Sequence, residues 1–192
     1  MTSLINASTS TGVVVTPDTS GSLAFQSNGT SIATISSSGL TMNSGNIVQS
    51  ASAAPAFSAY LSSPQSISSG TSTTIAFDTK SFDTASCYNT STYRFTPNVA
   101  GYYSFSVIVQ FASAISSGEY QYELDKNGSR AATLFDYTGS SLAYGASSSM
   151  LVYANGTTDY FTVVVYQSCG SSKNLNSGAT GTLFQAFLAR SA

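Results

Sequence analysis

Residues 102–111 read YYSFSVIVQF: Tyr103, Phe105, Val107, Val109 and Phe111 fall at every second position, with Tyr102, Ser104, Ser106, Ile108 and Gln110 between them. Side chains of a strand point alternately to its two faces, so this period predicts a strand with one face in a sandwich core. The other face mixes hydroxyls with Tyr102 and Ile108. On a monomer those two are ordinary surface residues; in a trimer they would line the threefold axis. They are therefore candidate interface residues, together with Phe184 of the last apolar run.

Similar segments surround it. Candidate strands are residues 56–62, 73–78, 92–95, 119–126, 131–136, 147–154, 158–167 and 182–189, and no segment longer than a few residues has a helical period. Asn127-Gly128 and Asn155-Gly156 carry the chemistry of tight hairpin turns, whose central residues need positive φ. Many short strands with turn signals between them predict an all-β sandwich or jelly roll.

The first 50 residues differ. They are rich in Ser, Thr, Gly and Asn, with sparse apolar pieces: Val13 to Val15, Leu23 to Gln26, Ile32 to Ile35 and Leu40 to Met42. Such a segment buries too little apolar surface to offset an ordering entropy of about 1–2 kcal/mol per residue. It is either disordered or ordered by other chains, and the second is expected. Val13, Val15, Leu23, Phe25, Ile32 and Ile35 are the candidate anchoring residues of this arm. Residues 51–55, small and ending in Pro55, read as a linker to a domain over 56–192.

Composition narrows function. Of 192 residues 7% are charged, against roughly 25% in average domains, so Ser, Thr, Asn, Gly and Tyr must cover the surface. The net charge of −2 and six scattered cations offer no basic stripe for phosphates, which sets nucleic acid aside. The chain has no histidine, so Ser-His-Asp and Cys-His nucleophiles and imidazole metal sites are excluded, and no catalytic residue or cofactor is expected. Cys87 and Cys169 lack a cluster of further ligands, so no zinc is expected, and whether they pair is left open. Glu119, Glu123, Asp125, Asp136 and Asp159 lack the spacing of a calcium loop and are expected to be solvated charges. The N-terminus has no basic, apolar leader, and runs such as Phe161 to Tyr166 are too short for a bilayer. No membrane association is expected. The Asn-x-Ser/Thr triplets in so Ser/Thr-rich a chain carry no glycosylation reading. The Tyr-, Ser- and Asn-rich loops 137–144 and 168–181 have the composition of a recognition surface or of hydrated spacer, and the second is expected.

One group of motifs resembles a known family. Cys87-Tyr88-Asn89-Thr90-Ser91-Thr92-Tyr93-Arg94-Phe95-Thr96-Pro97, then Gly101-Tyr102-Tyr103-Ser104-Phe105, the Leu124-Asp125-Lys126-Asn127-Gly128 hairpin and a closing Phe184-Gln185-Ala186-Phe187-Leu188 resemble the globular head of complement first-component subunits. That head shares its jelly roll with the tumour necrosis factor ligands. Ala186 stands where relatives have glycine, and Thr157-Thr158-Asp159 where they have glycine-aspartate. The resemblance implies a ten-stranded, two-sheet jelly roll assembled as a homotrimer. The arm, with LAFQSNGT followed by IATISSSG, is similar to segments preceding such heads in tailed-phage virion proteins. The expected function is thus a trimeric capsid decoration (cement) protein, partnered with capsid or other virion proteins. The rival expectation is a receptor-binding head of a tail fibre or adhesin that recognises surface glycans.

Overall fold

The computed structural model describes residues 21–37, 39–42, 54–114, 117–140 and 145–192. The chain divides after Ser50 into two compact units, each taken by itself below. Val13 and Val15 lie outside the described residues.

The first unit is a meander of β1 (Leu23–Ser27), β2 (Thr30–Ser36) and β3 (Gly39–Met42), paired antiparallel in that order. Asn28 and Gly29 turn β1 into β2 with φ of 51° and 77°, both positive, as a two-residue hairpin of the right twist requires. Register places Leu23 opposite Ile35, Phe25 opposite Ala33, and Ile35 opposite Leu40. These apolar residues therefore share one face.

The second unit is all β. Its elements are β4 (Ala56–Tyr60), β5 (Ser66–Ile67), β6 (Thr73–Thr74), β7 (Thr79–Asp83), β8 (Tyr88–Asn89), β9 (Arg94–Phe95), β10 (Gly101–Gln110), β11 (Gly118–Lys126), β12 (Ser129–Gly139), β13 (Gly145–Ala154), β14 (Phe161–Gln167), β15 (Lys173–Asn174) and β16 (Leu183–Ser191). They form one sheet in the order β13-β10-β16-β4-β7, here called the plain sheet, another in the order β12-β11-β14-β9-β8, the charged sheet, with β6 beside β14, and a separate β15-β5 pair. Neighbours in each sheet are mostly distant in sequence, which makes this the jelly roll expected from the strand pattern.

The alternation read in residues 102–111 is what the structure shows. Tyr103, Phe105, Val107, Val109 and Phe111 are buried, and meet Tyr120, Tyr122, Leu124, Val163 and Val165 of the charged sheet in one core. Aromatic packing runs through this core: Phe57 stacks on Phe95 at 4.5 Å between ring centroids and meets Phe184 edge-on at 4.9 Å. Phe105 lies 4.6 Å from Phe161. Such pairs add about 0.5–1.5 kcal/mol each beyond area burial.

Two expectations are corrected. Asn155-Gly156 is no hairpin, because β13 and β14 belong to different sheets. The Asn155 side-chain oxygen accepts from the amides of Thr157, Thr158 and Asp159, widening the turn into a loop that carries the chain across the sandwich. The apolar run 73–78 is mostly not a strand; β7, at Thr79–Asp83, is the edge strand instead. Of the residues read as linker, Pro55 is buried and accepts from the amide of Leu188, and Ala54 accepts from Thr84 Oγ1.

Candidate functional site

Charge is sorted between the two outer faces of the sandwich. On the charged sheet, β11 and β12 present Glu119, Glu123, Asp125, Arg130 and Asp136. Arg130 pairs with Glu123 and donates to Gln121 at 3.0 Å, and Gln121 in turn donates to Asp136 at 3.2 Å. The expectation of fully solvated charges holds only in part. Burial raises the Asp125 carboxyl pKa, the Glu123 charge raises it further, and Arg130 opposes both.

Asp159 is a clear correction, being buried. It accepts from Asn127 Nδ2 at 2.8 Å and the Asn155 amide at 2.9 Å, and pairs with Lys126 at 2.8 Å. Desolvation raises its pKa, but the hydrogen bonds from Lys126, Asn127 and Asn155 outweigh it and hold the carboxyl below the ordinary range. Asn127 in turn accepts from the Tyr160 amide at 3.0 Å. These residues latch the β11–β12 turn to the β13–β14 loop. The role is structural.

The outer face of the plain sheet is different. Cross-strand register aligns Tyr102 with Tyr153; Ser104 with Leu151 and Phe187; Ser106 with Gln185; and Ile108 with Leu183. Phe187 then faces Ala56, Gln185 faces Ser58, and Ser58 faces Phe82. None of these residues is charged; the charges of this sheet are Arg190, opposite Tyr102 near the end of β16, and the Lys80–Asp83 ion pair on the edge strand β7. Leu151 is 58% exposed, Phe187 55% and Phe82 49%, with Tyr102 and Tyr153 close behind. Among the described residues, every large exposed apolar side chain of this unit is on this one face. Between its strands lies an apolar cavity of about 180 Å³, lined by Ala56, Phe57, Phe82, Ser104, Ser106, Gln185, Ala186 and Phe187.

Of the candidate interface residues, Tyr102 and Ile108 stand on this face, Ile108 half-buried. Phe184 does not. It is 0% exposed, in the core against Phe57, Phe77, Tyr88 and Phe105, because β16 alternates and the outward residue of that run is Phe187. The other exposed apolar residues of this face, Phe82, Leu151, Tyr153 and Phe187, lie on the three strands β7, β13 and β16, whose register no local pattern reveals. In the first unit Leu23, Phe25 and Ile35 share the apolar face with Leu40, and Phe25, Ile35 and Leu40 are exposed. Ile32 stands apart, in the bulge between the Phe25–Ala33 and Gln26–Ser31 pairs.

Both cysteines are free thiols. Cys87 borders an open polar recess with Ser86, Asn89, Thr90 and Thr96, but burial raises its thiol pKa, the Asp83 charge adds to this, and the Asn98 hydrogen bond opposes it. The nucleophilic thiolate is thereby disfavoured. Cys169 donates to Gln167 Oε1 at 2.6 Å. Among the described residues no three His, Cys, Asp or Glu gather as metal ligands, and no helix is long and apolar enough to cross a membrane.

Residues 56–188 match the C1q domain. The chain belongs to the C1q family. The C1q match runs from the first residue of β4 almost to the end of β16, so it covers both sheets. Similar solved structures include the globular domain of zebrafish complement 1qA, with 19% identity over 72% of this chain and 98% of that one, at a TM-score of 0.53. Vertex protein P5 of the phage PRD1 shares 16% identity over 71% of this chain and 97% of its own, also at 0.53. The Eiger TNF of S. frugiperda shares 13% over 72% and 93%, at 0.51. At these identities the likeness is one of fold. No curated protein sequence matches the chain. C1q domains are structural and binding modules rather than enzymes.

Proposed function

We propose that this C1q-family chain is a virion structural protein of a tailed phage: a homotrimeric capsid decoration protein whose N-terminal arm holds it to the particle. One observation carries the reading. Among the described residues, the large exposed apolar side chains are confined to one face of the plain sheet and one face of the arm sheet. A contiguous apolar patch marks an interface, and two patches on separate units call for two kinds of contact.

The face with Tyr102, Ile108, Leu151, Tyr153 and Phe187 serves self-association, and homologous C1q and TNF domains form trimers. The arm face with Leu23, Phe25 and Ile35 serves attachment, assisted by Val13 and Val15. The arm's short strands can add to exposed sheet edges of capsid subunits. Three arms on one trimer then multiply a weak anchor through effective concentration. The fold likeness to a phage vertex protein supports a place on the virion, and the sparsely charged, hydroxyl-rich composition suits it.

A second reading, a glycan- or receptor-binding head, draws on the Tyr-, Ser- and Asn-rich sequences of residues 137–144 and 168–181. Copy number and position in purified particles separate the two. Hundreds of copies at capsid symmetry axes are expected; a few copies at the tail, with glycan binding by the purified trimer, would replace decoration by the second reading.

A further inference from the structure

Asn-Gly occurs three times, at Asn28-Gly29, Asn127-Gly128 and Asn155-Gly156, and threonine follows the first and the last. The dipeptide carries a reaction of its own. Glycine has no side chain to shield its amide nitrogen, so that nitrogen can attack the asparagine Cγ and close a five-membered imide. Two copies of one tripeptide in the same chain should react alike unless the fold treats them differently.

The fold does. The Asn155 side chain is held at both ends: its oxygen accepts from the amides of Thr157, Thr158 and Asp159, and its Nδ2 donates to Thr158 Oγ1 at 2.8 Å. Gly156 is backed by the main chain of Val99 and Ala100. Asn127 is held too, with Nδ2 donating to Asp159 at 2.8 Å and Oδ1 accepting from the Tyr160 amide at 3.0 Å. Asn28 stands at the exposed tip of the β1–β2 hairpin, and a Cβ on Gly29 would meet nothing within 4 Å. Among the described residues none grips the Asn28 side chain. Ring closure needs the turn to open, and a three-stranded meander opens locally far more readily than a two-sheet core.

We propose that Asn28 is a self-modification site of this chain, deamidating while the folded jelly roll protects Asn127 and Asn155. The Gly29 amide nitrogen gives up its proton and bonds to Asn28 Cγ. The Cγ–Nδ2 bond breaks, and Nδ2 leaves with the proton as ammonia. Water then opens the imide. Addition at Cγ leaves aspartate, and addition at the main-chain carbonyl leaves isoaspartate, with no oxidant or reductant involved. Either product puts a carboxylate at the hairpin tip and makes the net charge one unit more negative than −2. Isoaspartate also adds a carbon to the main chain before Gly29, so the two-residue turn and its closing Ser27–Thr30 pair cannot form as built. The meander loosens with age whatever the arm binds, so the inference stands apart from the reading above.

The test holds purified full-length chain in mildly alkaline buffer made with heavy-oxygen water, and follows amide-to-acid conversion at the three pairs by mass spectrometry of its peptides. The folded chain is expected to convert Asn28 at least about tenfold faster than Asn127 or Asn155, each of which must first break two or more hydrogen bonds. In urea strong enough to unfold the chain, Asn28 and Asn155 should convert at the same rate. Asn127 or Asn155 keeping pace with Asn28 in the folded chain would overturn the proposal, as would an Asn28 that stays an amide. A preference for Asn28 that survives in urea would place its cause outside the fold and overturn it equally. Asn28→Gln, whose longer side chain closes such a ring far more slowly, should keep the β-type circular dichroism and lose the early acidic species on ion exchange. Persistence of that species in Asn28→Gln would assign the reaction to another residue and sink the proposal.

Discussion

Two phenylalanines three residues apart on β16 show how much depends on which way one side chain points. Phe184 is enclosed by aromatic rings from both sheets, and Phe187 is more than half exposed. Phe184→Ala would open a cavity in the core and should cost about 3–5 kcal/mol of domain stability. Phe187→Ala should leave the stability of the single domain within about 0.5 kcal/mol while weakening association. Urea unfolding beside sedimentation separates the two effects. Asp159 makes a pH-dependent prediction. Its folded pKa lies below the ordinary value, so its stabilisation is fully present above an unfolded pKa of about 3.9 and is lost as pH falls through the lower folded value. Asp159→Asn should therefore be less stable than wild type by about 1–3 kcal/mol at pH 7. The gap should narrow below about pH 4, as read by urea melts at several pH values. A gap unchanged down to pH 2 would mean that the carboxylate's charge is not what the latch uses.

At the level of elements, short-range pattern carried a good deal of the structure. The period of β10 and the Asn127-Gly128 turn depend on backbone geometry within a few residues, and both are as expected, with Asn127 at φ 57° and Gly128 at 77°. Asn155-Gly156 has the same two letters and a different outcome, because a side-chain oxygen that caps three amides is invisible in a dipeptide. Gly156 is nonetheless required there. Its φ is +72°, and a Cβ would overlap the Ala100 amide, so Gly156→Ala combines left-handed strain of about 1–2 kcal/mol with a backbone collision. A loss of at least 2 kcal/mol is expected in thermal or urea unfolding. The residues of the exposed apolar face were the least legible. Tyr102 and Ile108 could be placed on one face because their own strand alternates, whereas Leu151, Phe82 and Phe187 join them only through cross-strand register set by contacts distant in sequence. Phe184 was misassigned for the same reason: an isolated apolar run does not say which of its faces is turned inward.

For the molecule as a whole, the segregation of charge matters more than its amount. The charged sheet carries Glu119, Glu123, Asp125, Arg130 and Asp136, while the charges of the plain sheet are Arg190 at its rim and the Lys80–Asp83 ion pair on the edge strand β7. Hydration thus favours leaving one face in water and covering the other, and a second and third copy of the chain cover it in this account. The same logic applies to the arm, whose three strands bring Leu23, Phe25, Ile35 and Leu40 to one side and are too few to hold that side dry alone. Sedimentation equilibrium of the purified full-length chain, in dilute neutral buffer, tests the first of these most directly. The account predicts a single species at three times the chain mass of 19.8 kDa. A species at 19.8 kDa that stays monomeric as concentration rises would contradict it.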